Sequence, residues 1–295
     1  MDAANTNPSN SERKFLSNFH HSITGDASKP KLVFLHGVMG FALNWRRIAK
    51  AFEADYQVLA YDQRGHGRSF HPASGYSPED YANDLEKILD ELGWREITLV
   101  GHSMGGRASY SFAARHPERV TRLVIEDIGP KTYDTGTGVT LVEQMLDVVP
   151  VPFESKKAAR EWFSTEFPRL FSAQKKKLQL AEYLYANIME TTPKGPATWR
   201  FSEAGVRESV AQGRAAERWD DISALKMPTL VMRGEFSGDL PREVFEKMLS
   251  LNPNIQGIEI AGSGHWIHSD KPEIFIETLE TFFRGDAVPA ESKGL

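Results

Sequence analysis

The chain has 295 residues, a net charge of −5, and no cysteine. This length suits one large α/β domain with an insertion, or two small domains. A net negative charge does not favour binding to nucleic acid or to an anionic membrane surface. The absence of cysteine excludes disulfides and thiolate metal sites. No stretch approaches the ~20 apolar residues that span a bilayer, and the polar N-terminus lacks the apolar core of a secretory signal. We therefore expect a cytoplasmic protein without a membrane span.

Patterns typical of buried strands alternate with helical periodicities, which predicts βαβ units and a parallel sheet. The predicted strands are Lys31–Leu35, Gln57–Tyr61, Ile97–Val100, Arg122–Ile125, Thr229–Arg233 and Ile255–Ile260. The predicted helices of this alternating part are Pro78–Leu92, Met104–Arg115 and Pro272–Phe283. Ser77 precedes the first of these helices as a cap, and Pro78 suits its first position.

Between Gly129 and Met227 the strand signal is absent and only helical stretches occur. These stretches are Ala158–Phe167, Lys175–Met189 and Glu203–Ala211. A helical insertion between two strands is typical of a lid over the carboxyl ends of the strands, where ligands bind in open α/β sheets. The predicted organisation is a disordered N-terminus (1–14), a first core part (15–130), a helical lid (131–222), a second core part (223–285) and a flexible tail (286–295).

The motif Gly101-His102-Ser103-Met104-Gly105 lies directly after a predicted strand and directly before a predicted helix. This G-x-S-x-G context is that of a nucleophile elbow, in which a sharp turn projects the serine hydroxyl above the sheet edge. Glycine two positions on either side of Ser103 removes the side chains that would collide in such a turn. The motif therefore predicts Ser103 as a catalytic nucleophile.

A serine nucleophile needs a base, and the base needs a carboxylate that orients it. With this elbow the chain order is serine, acid, histidine, and His265 follows the last predicted strand in a glycine-rich loop. His268 is expected to pack against the closing helix or to cap it. Two carboxylates could orient His265: Asp127 at the end of the strand beside the nucleophile strand, and Asp239 in the loop after Thr229–Arg233.

Two backbone N–H groups are expected to form an oxyanion hole. One belongs to Met104 at the start of the helix after Ser103, where amides lack helical partners. The other is predicted at Val38, in the flexible turn after the strand Lys31–Leu35. The glycine-rich stretch from Asp62 to Ser69 lacks the spacing of a phosphate-binding loop, so we interpret it as structural. No histidine and carboxylate cluster with metal-ligand spacing occurs, and no metal or cofactor is predicted.

Together these motifs resemble the α/β-hydrolase superfamily over nearly the whole chain, from His36-Gly37 to His265. The resemblance implies a mostly parallel twisted sheet flanked by helices, with the helical lid inserted after strand six in the family's count. Several stretches, including Asp127-Ile128-Gly129-Pro130 and Trp199-Arg200-Phe201, are similar to a narrower group of small bacterial and mitochondrial serine esterases. That group acts on short acyl esters and, in some members, on acyl-CoA thioesters.

The narrower resemblance implies that Asp127 is the acid, since Asp239 lies about one position away from the usual acid site. The lid residues Trp199, Arg200 and Phe201 are expected to contact the substrate. Arg200 is expected near the mouth of the site because it stands between two aromatic residues of the predicted lid. The expected partner is therefore a small-molecule ester or thioester.

The leading functional hypothesis is a serine carboxylesterase or thioesterase with Ser103, His265 and Asp127 as its triad. A lactonase, a C–C bond hydrolase or a perhydrolase would use the same residues. Epoxide hydrolases and haloalkane dehalogenases are disfavoured, because their elbow nucleophile is an aspartate. From another class, a non-catalytic ligand receptor could have kept the fold, since fold does not imply function.

Overall fold

A computed structural model describes residues 14–131, 140–174 and 176–291. Its main sheet has seven strands in the order β1-β3-β2-β4-β5-β8-β9, and only β1 runs antiparallel to its neighbour. The strands of this sheet are β1 (His21–Thr24), β2 (Lys31–Leu35), β3 (Gln57–Tyr61), β4 (Ile97–His102), β5 (Val120–Glu126), β8 (Thr229–Gly234) and β9 (Ile255–Ile260). The mostly parallel sheet is as predicted.

Helices cover both faces of the sheet. They are α1 (Arg46–Phe52), α2 (Pro78–Leu92), α3 (Met104–Arg115), α4 (Leu141–Val148), α5 (Lys156–Leu170), α6 (Lys177–Ala186), α7 (Glu203–Gly213), α8 (Trp219–Ala224), α9 (Arg242–Leu251), α10 (Ile267–Asp270) and α11 (Pro272–Arg284). Side chains of a strand alternate between faces. In β2, accordingly, Val33 and Leu35 pack with α2 and α3, whereas Leu32 and Phe34 pack with α1 and α11. The sheet is therefore buried on both sides, as parallel sheets are.

The helix α2 has the predicted bounds, and its N-terminus shows why. The Ser77 hydroxyl accepts from the backbone N–H of Asp80, and the Asp80 carboxylate accepts from the backbone N–H of Ser77. This reciprocal pair satisfies two amides that would otherwise lack partners. The predicted cap is confirmed.

The segment between β5 and β8 is more varied than the predicted run of helices. It contains α4 to α8 and a two-stranded antiparallel hairpin of β6 (Ile188–Glu190) and β7 (Ala197–Trp199). The hairpin takes the end of the predicted helix Lys175–Met189. Ile222 of α8 packs in the core with α3, so α8 belongs to the core rather than to the predicted lid of residues 131–222. We call residues 140–174 and 176–218 the lid segment.

The lid segment has a hydrophobic core of its own and contacts the loops at the carboxyl ends of the strands. Phe163, Phe167 and Leu184 are buried in this core, together with Met39 from the loop after β2. The Tyr183 hydroxyl donates to the carbonyl of Val38 at 3.3 Å. Lys176 forms an ion pair with Asp270. The lid segment is thus held at the edge of the sheet where β4 leads into Ser103.

The chain beyond α11 differs from the predicted flexible tail. The backbone N–H of Glu259 donates to the carbonyl of Ala290 at 3.0 Å, and that of Val288 donates to the Gln256 side chain at 3.1 Å. Residues 288–291 therefore run beside β9. Residues 292–295 of the predicted tail, and the predicted disordered N-terminus up to residue 13, lie outside the described residues. Within the described residues, no helix is long and apolar enough to cross a membrane.

Candidate active site

Ser103 occupies the turn between β4 and α3 in a conformation that few non-glycine residues adopt, with φ 53° and ψ −116°. The turn is possible because its flanks carry no side chains. A Cβ on Gly105 would lie 2.6 Å from the carbonyl oxygen of His36 and closer still to that of Leu35. A Cβ on Gly101 would collide with the hydroxyl of Ser109. The strained turn is the predicted elbow, and strain of this kind persists where the surroundings over-determine it.

Asp127 follows β5 and is fully buried, with φ 53°. Its Oδ1 accepts the backbone N–H of Gly234 at 2.8 Å, and its Oδ2 accepts the Ser237 hydroxyl. The same Oδ2 lies 2.8 Å from Nδ1 of His265. Three donors thus hold the carboxylate in place. Burial raises the pKa of Asp127, and the hydrogen bonds from these donors offset part of that effect. Of the two candidate acids, Asp127 is the one in hydrogen-bond contact with His265.

Asp239 lies near the same nitrogen of His265. One of its carboxylate oxygens lies 3.4 Å from Nδ1 of His265, and its side chain is 56% exposed. The backbone N–H of Asp239 donates to the Ser237 hydroxyl at 3.1 Å. The Ser237 hydroxyl therefore links the carboxylate of Asp127 to the backbone of Asp239. No sequence motif predicted this role of Ser237.

The two carboxylates set the protonation of His265. Burial favours the neutral ring, but the charge of Asp239 and the hydrogen bond and charge of Asp127 outweigh burial and raise the pKa of His265 to about 9. Since Nδ1 faces Asp127, Nε2 is the nitrogen left to exchange a proton with a reacting group. His265 is thus oriented as a general base or acid.

Ser103 and His265 line one cavity of about 180 Å³, and Val38 and Met104 line it too. Met104 is the first residue of α3, so its amide lacks a helical acceptor. The structure thus brings both predicted oxyanion residues to the cavity of Ser103. Most of the other walls are apolar, with Ile128 from the core and Leu141 and Met145 from the lid segment.

Two buried histidines shape the loop that carries Val38. Nε2 of His66 accepts the backbone N–H of Met39 at 3.1 Å, and Nε2 of His36 accepts that of Gln63 at 2.9 Å. Burial lowers the pKa of His36 to about 4 and that of His66 to about 3, so both rings are neutral acceptors. The stretch from Asp62 to Ser69 therefore has the structural role predicted for it, whereas the roles of the two histidines were missed.

A second group of histidines and a carboxylate lies beside the first. Nε2 of His102 is 2.8 Å from the carbonyl of His265, and the carboxylate of Glu126 accepts the backbone N–H of His268 at 2.9 Å and contacts its Nδ1. The group His102, Glu126 and His268, like the group Asp127, Asp239 and His265, could offer three ligand atoms to a metal ion. In both groups, however, a carboxylate already contacts Nδ1 of a histidine: Asp127 contacts His265, and Glu126 contacts His268. These contacts help to position the loop that carries His265.

The predicted substrate residues of the lid lie elsewhere. Trp199 and Phe201 are buried in the lid core, with their rings stacked at 4.8 Å. The guanidinium of Arg200 lies 4.7 Å from the ring of Phe41. Phe201 packs near His66, at 6.3 Å between ring centroids. None of these three residues lines the cavity of Ser103. Substrate contact by Trp199, Arg200 and Phe201 stays a prediction, and their positions do not support it.

The chain belongs to the α/β-hydrolase fold family, whose model matches residues 30–272. It is similar to the sn-1-specific diacylglycerol lipase of Mus musculus, with 29% identity over 89% of this chain and 84% of the lipase. It is also 25% identical to the 2-(acetamidomethylene)succinate hydrolase of Mesorhizobium japonicum, over 86% of this chain and 88% of that enzyme. Among solved structures, a marine microorganism esterase matches with a TM-score of 0.76 and 28% identity, over 90% of this chain and 98% of the esterase.

Proposed function

We propose that the chain is a serine hydrolase that cleaves carboxylic esters or acyl thioesters through an acyl-enzyme intermediate. The observation that carries this proposal is the contact of 2.8 Å between Nδ1 of His265 and the buried Asp127, in the wall of the cavity that also holds Ser103. A serine, a histidine and an acid in one site are the parts of a catalytic triad.

In this mechanism the Ser103 hydroxyl attacks the acyl carbon and passes its proton to Nε2 of His265. Asp127 keeps the proton of the imidazole on Nδ1 and stabilises the imidazolium that forms. The imidazolium then donates its proton to the leaving alcohol or thiol, which departs and leaves the acyl group on Ser103. A water molecule, deprotonated by His265, hydrolyses this ester and restores the serine.

The backbone N–H groups of Val38 and Met104 would bind the oxyanion of each tetrahedral intermediate. Loss of one such donor typically costs about 10²–10³ in turnover. The buried acceptors His36 and His66 support this role, because they hold the loop of Val38 in one conformation.

Esters are the favoured substrate class because relatives of similar length are named a lipase and an esterase. The size of the cavity favours a short acyl group: an engineered cavity of about 150 Å³ holds a benzene molecule, and this one measures about 180 Å³. Thioesters remain within the proposal because the same attack on the acyl carbon cleaves them.

The test is the Ser103→Ala variant, assayed on short-chain p-nitrophenyl esters. Loss of a triad member typically costs about 10⁴–10⁶ in turnover. The matched control is Ser111→Ala, since Ser111 is buried in the same helix about two turns further on. Turnover of Ser103→Ala within tenfold of the parent protein would contradict the assignment, and so would an equal loss in the control.

Labelling with a fluorophosphonate separates a hydrolase from a non-catalytic receptor of the same fold. This reagent reacts with an activated serine and requires no knowledge of the substrate. In a non-catalytic receptor Ser103 would not be activated, and the protein would remain unlabelled.

A further inference from the structure

Two arginines line the cavity that holds Ser103. Arg107 lies one turn further along α3, and its backbone N–H donates to the carbonyl of Ser103 at 3.0 Å. Residues four apart share one face of a helix. Arg107 therefore lies on the face of α3 that leads to Ser103, and its Nη1 lies 3.5 Å from the Tyr110 hydroxyl. Arg214, at the C-terminal end of α7, lines the same cavity from the lid segment.

The guanidinium of Arg107 makes little use of its donors inside the protein. Its hydrogen bond to the Tyr110 hydroxyl is 3.5 Å long, beyond the ordinary range for N–H···O bonds. In the described part of the chain, no carboxylate lies within ion-pair distance of Arg107. Two other partly buried arginines have such a partner: Arg64 pairs with Asp84, and Arg218 pairs with Glu79. Arg107 thus keeps a charge in a largely apolar cavity without a protein counterion among these residues.

Among the described residues, two carboxylates near the cavity already contact other groups. Asp239, which lines the cavity, lies against His265. Glu143 caps α4 by binding the backbone N–H and the hydroxyl of Thr140. Arg214 lies close enough to Glu143 to help lower the pKa of that carboxyl, although the hydrogen bond from Thr140 is the larger cause. Within the described residues, the positive charge of Arg107 is therefore available to a ligand.

We infer that the acyl part of the substrate carries a carboxylate, which Arg107 binds with support from the charge of Arg214 while the scissile carbonyl lies at Ser103. A guanidinium matches a carboxylate with two parallel hydrogen bonds, and such pairs are stronger in an apolar site than in water. The cavity volume of about 180 Å³ suits a short acyl chain. The substrate class is therefore monoesters or monothioesters of short dicarboxylic acids. This inference rests on the proposed serine hydrolase.

The test compares monomethyl glutarate with methyl 5-oxohexanoate, a neutral ester of nearly the same shape in which a methyl ketone replaces the free carboxylate. Acid release is followed by titration for the parent protein and for Arg107→Gln, Arg107→Lys and Arg115→Gln. Arg115 is the matched control, because it lies on the same helix, is exposed, and binds Asn83 away from the cavity.

The parent protein should prefer the anionic ester in kcat/KM by at least about tenfold, the scale of a hydrogen bond to a charged group. Arg107→Gln should lose about ten- to hundredfold on the anionic ester and less than about threefold on the neutral one. Arg107→Lys should recover part of the loss, and Arg115→Gln should match the parent. No preference in the parent protein, or equal losses of Arg107→Gln on both esters, would overturn the inference.

A second readout needs no turnover. Glutarate should slow fluorophosphonate labelling of Ser103 in the parent protein and in Arg115→Gln, but not in Arg107→Gln. Equal protection by 5-oxohexanamide, which carries no charge, would overturn the inference. Neutral ester hydrolysis and labelling of Ser103 would in that case still support the proposed function. Failure of both reactions would instead contradict the proposed function itself.

Discussion

The carboxylate of Asp239 lies 3.4 Å from Nδ1 of His265, a nitrogen that Asp127 already contacts at 2.8 Å. One imidazole thus faces two acids of different character. Asp127 is fully buried and held by Ser237 and Gly234, whereas Asp239 is more than half exposed. Charges near solvent are screened. We therefore expect the buried Asp127 to orient the imidazole ring, and the exposed Asp239 mainly to shift the pKa of His265.

Asparagine at the two acid positions separates these roles. Asp127→Asn should lower turnover by about 10⁴, because the amide would favour the wrong imidazole tautomer and would not balance the imidazolium. Asp239→Asn should cost less than about tenfold, the scale of a disturbed supporting contact. Steady-state kinetics on one ester measures both, with thermal unfolding as the check that each variant folds. The reverse order of the two losses would make Asp239 the acid.

The pH profile should follow His265. As a base the ring must be neutral, so kcat/KM should rise with pH through the pKa of about 9 to which the two carboxylates raise it. Asp239→Asn removes part of that effect and should move the rise to lower pH. The measurement is kcat/KM from about pH 6 to about pH 10. Asp286→Asn, an exposed aspartate paired with Arg284, is the control. A profile that Asp239→Asn leaves unchanged would contradict this coupling.

Arg200 tests the predicted lid contact. Its guanidinium lies 4.7 Å from the ring of Phe41, and its Nε is buried with no hydrogen-bond partner among the described residues, so we expect a packing role for it. We expect Arg200→Ala to change kcat/KM for CoA thioesters and for neutral esters by the same factor. A loss of kcat/KM confined to CoA thioesters would show instead that Arg200 binds an anionic group of the substrate.

The elbow should be intolerant of a single methyl group. A Cβ at Gly105 would overlap the carbonyls of Leu35 and His36, and overpacking of this kind typically costs about 1–3 kcal/mol of stability. Gly105→Ala should therefore lower the free energy of unfolding and the activity together. At Gly238 an added Cβ meets no atom within 4 Å. Gly238→Ala is thus the control for urea unfolding, and equal stability of the two variants would refute the crowding argument.

The central strands and the elbow could be predicted because their signals are local. β2, β3 and β9 have the predicted bounds, β2 and β3 are apolar and buried after their first residue, and the glycines around Ser103 stand at fixed spacing. The edge strand β1 has only four residues and alternates between half-buried and exposed. It therefore shows no apolar run. The three-residue strands β6 and β7 are too short to interrupt a helical pattern.

The parts of the site that escaped prediction depend on contacts between distant residues. Glu126 and His268 are 142 positions apart, and nothing at either position indicates the other. The same holds for Ser237 and Asp127, which are 110 positions apart. Arg107 is the exception: its spacing of four residues from Ser103 places it on the face of α3 that leads to the nucleophile, a signal that the sequence contains.

The most direct test of the account is to map the fluorophosphonate adduct by mass spectrometry of the digested protein. We predict one adduct, on the peptide that contains Ser103, and a much slower reaction in His265→Ala because the hydroxyl would lose its base. An unmodified Ser103 in the folded protein, or an adduct that forms equally fast without His265, would contradict it.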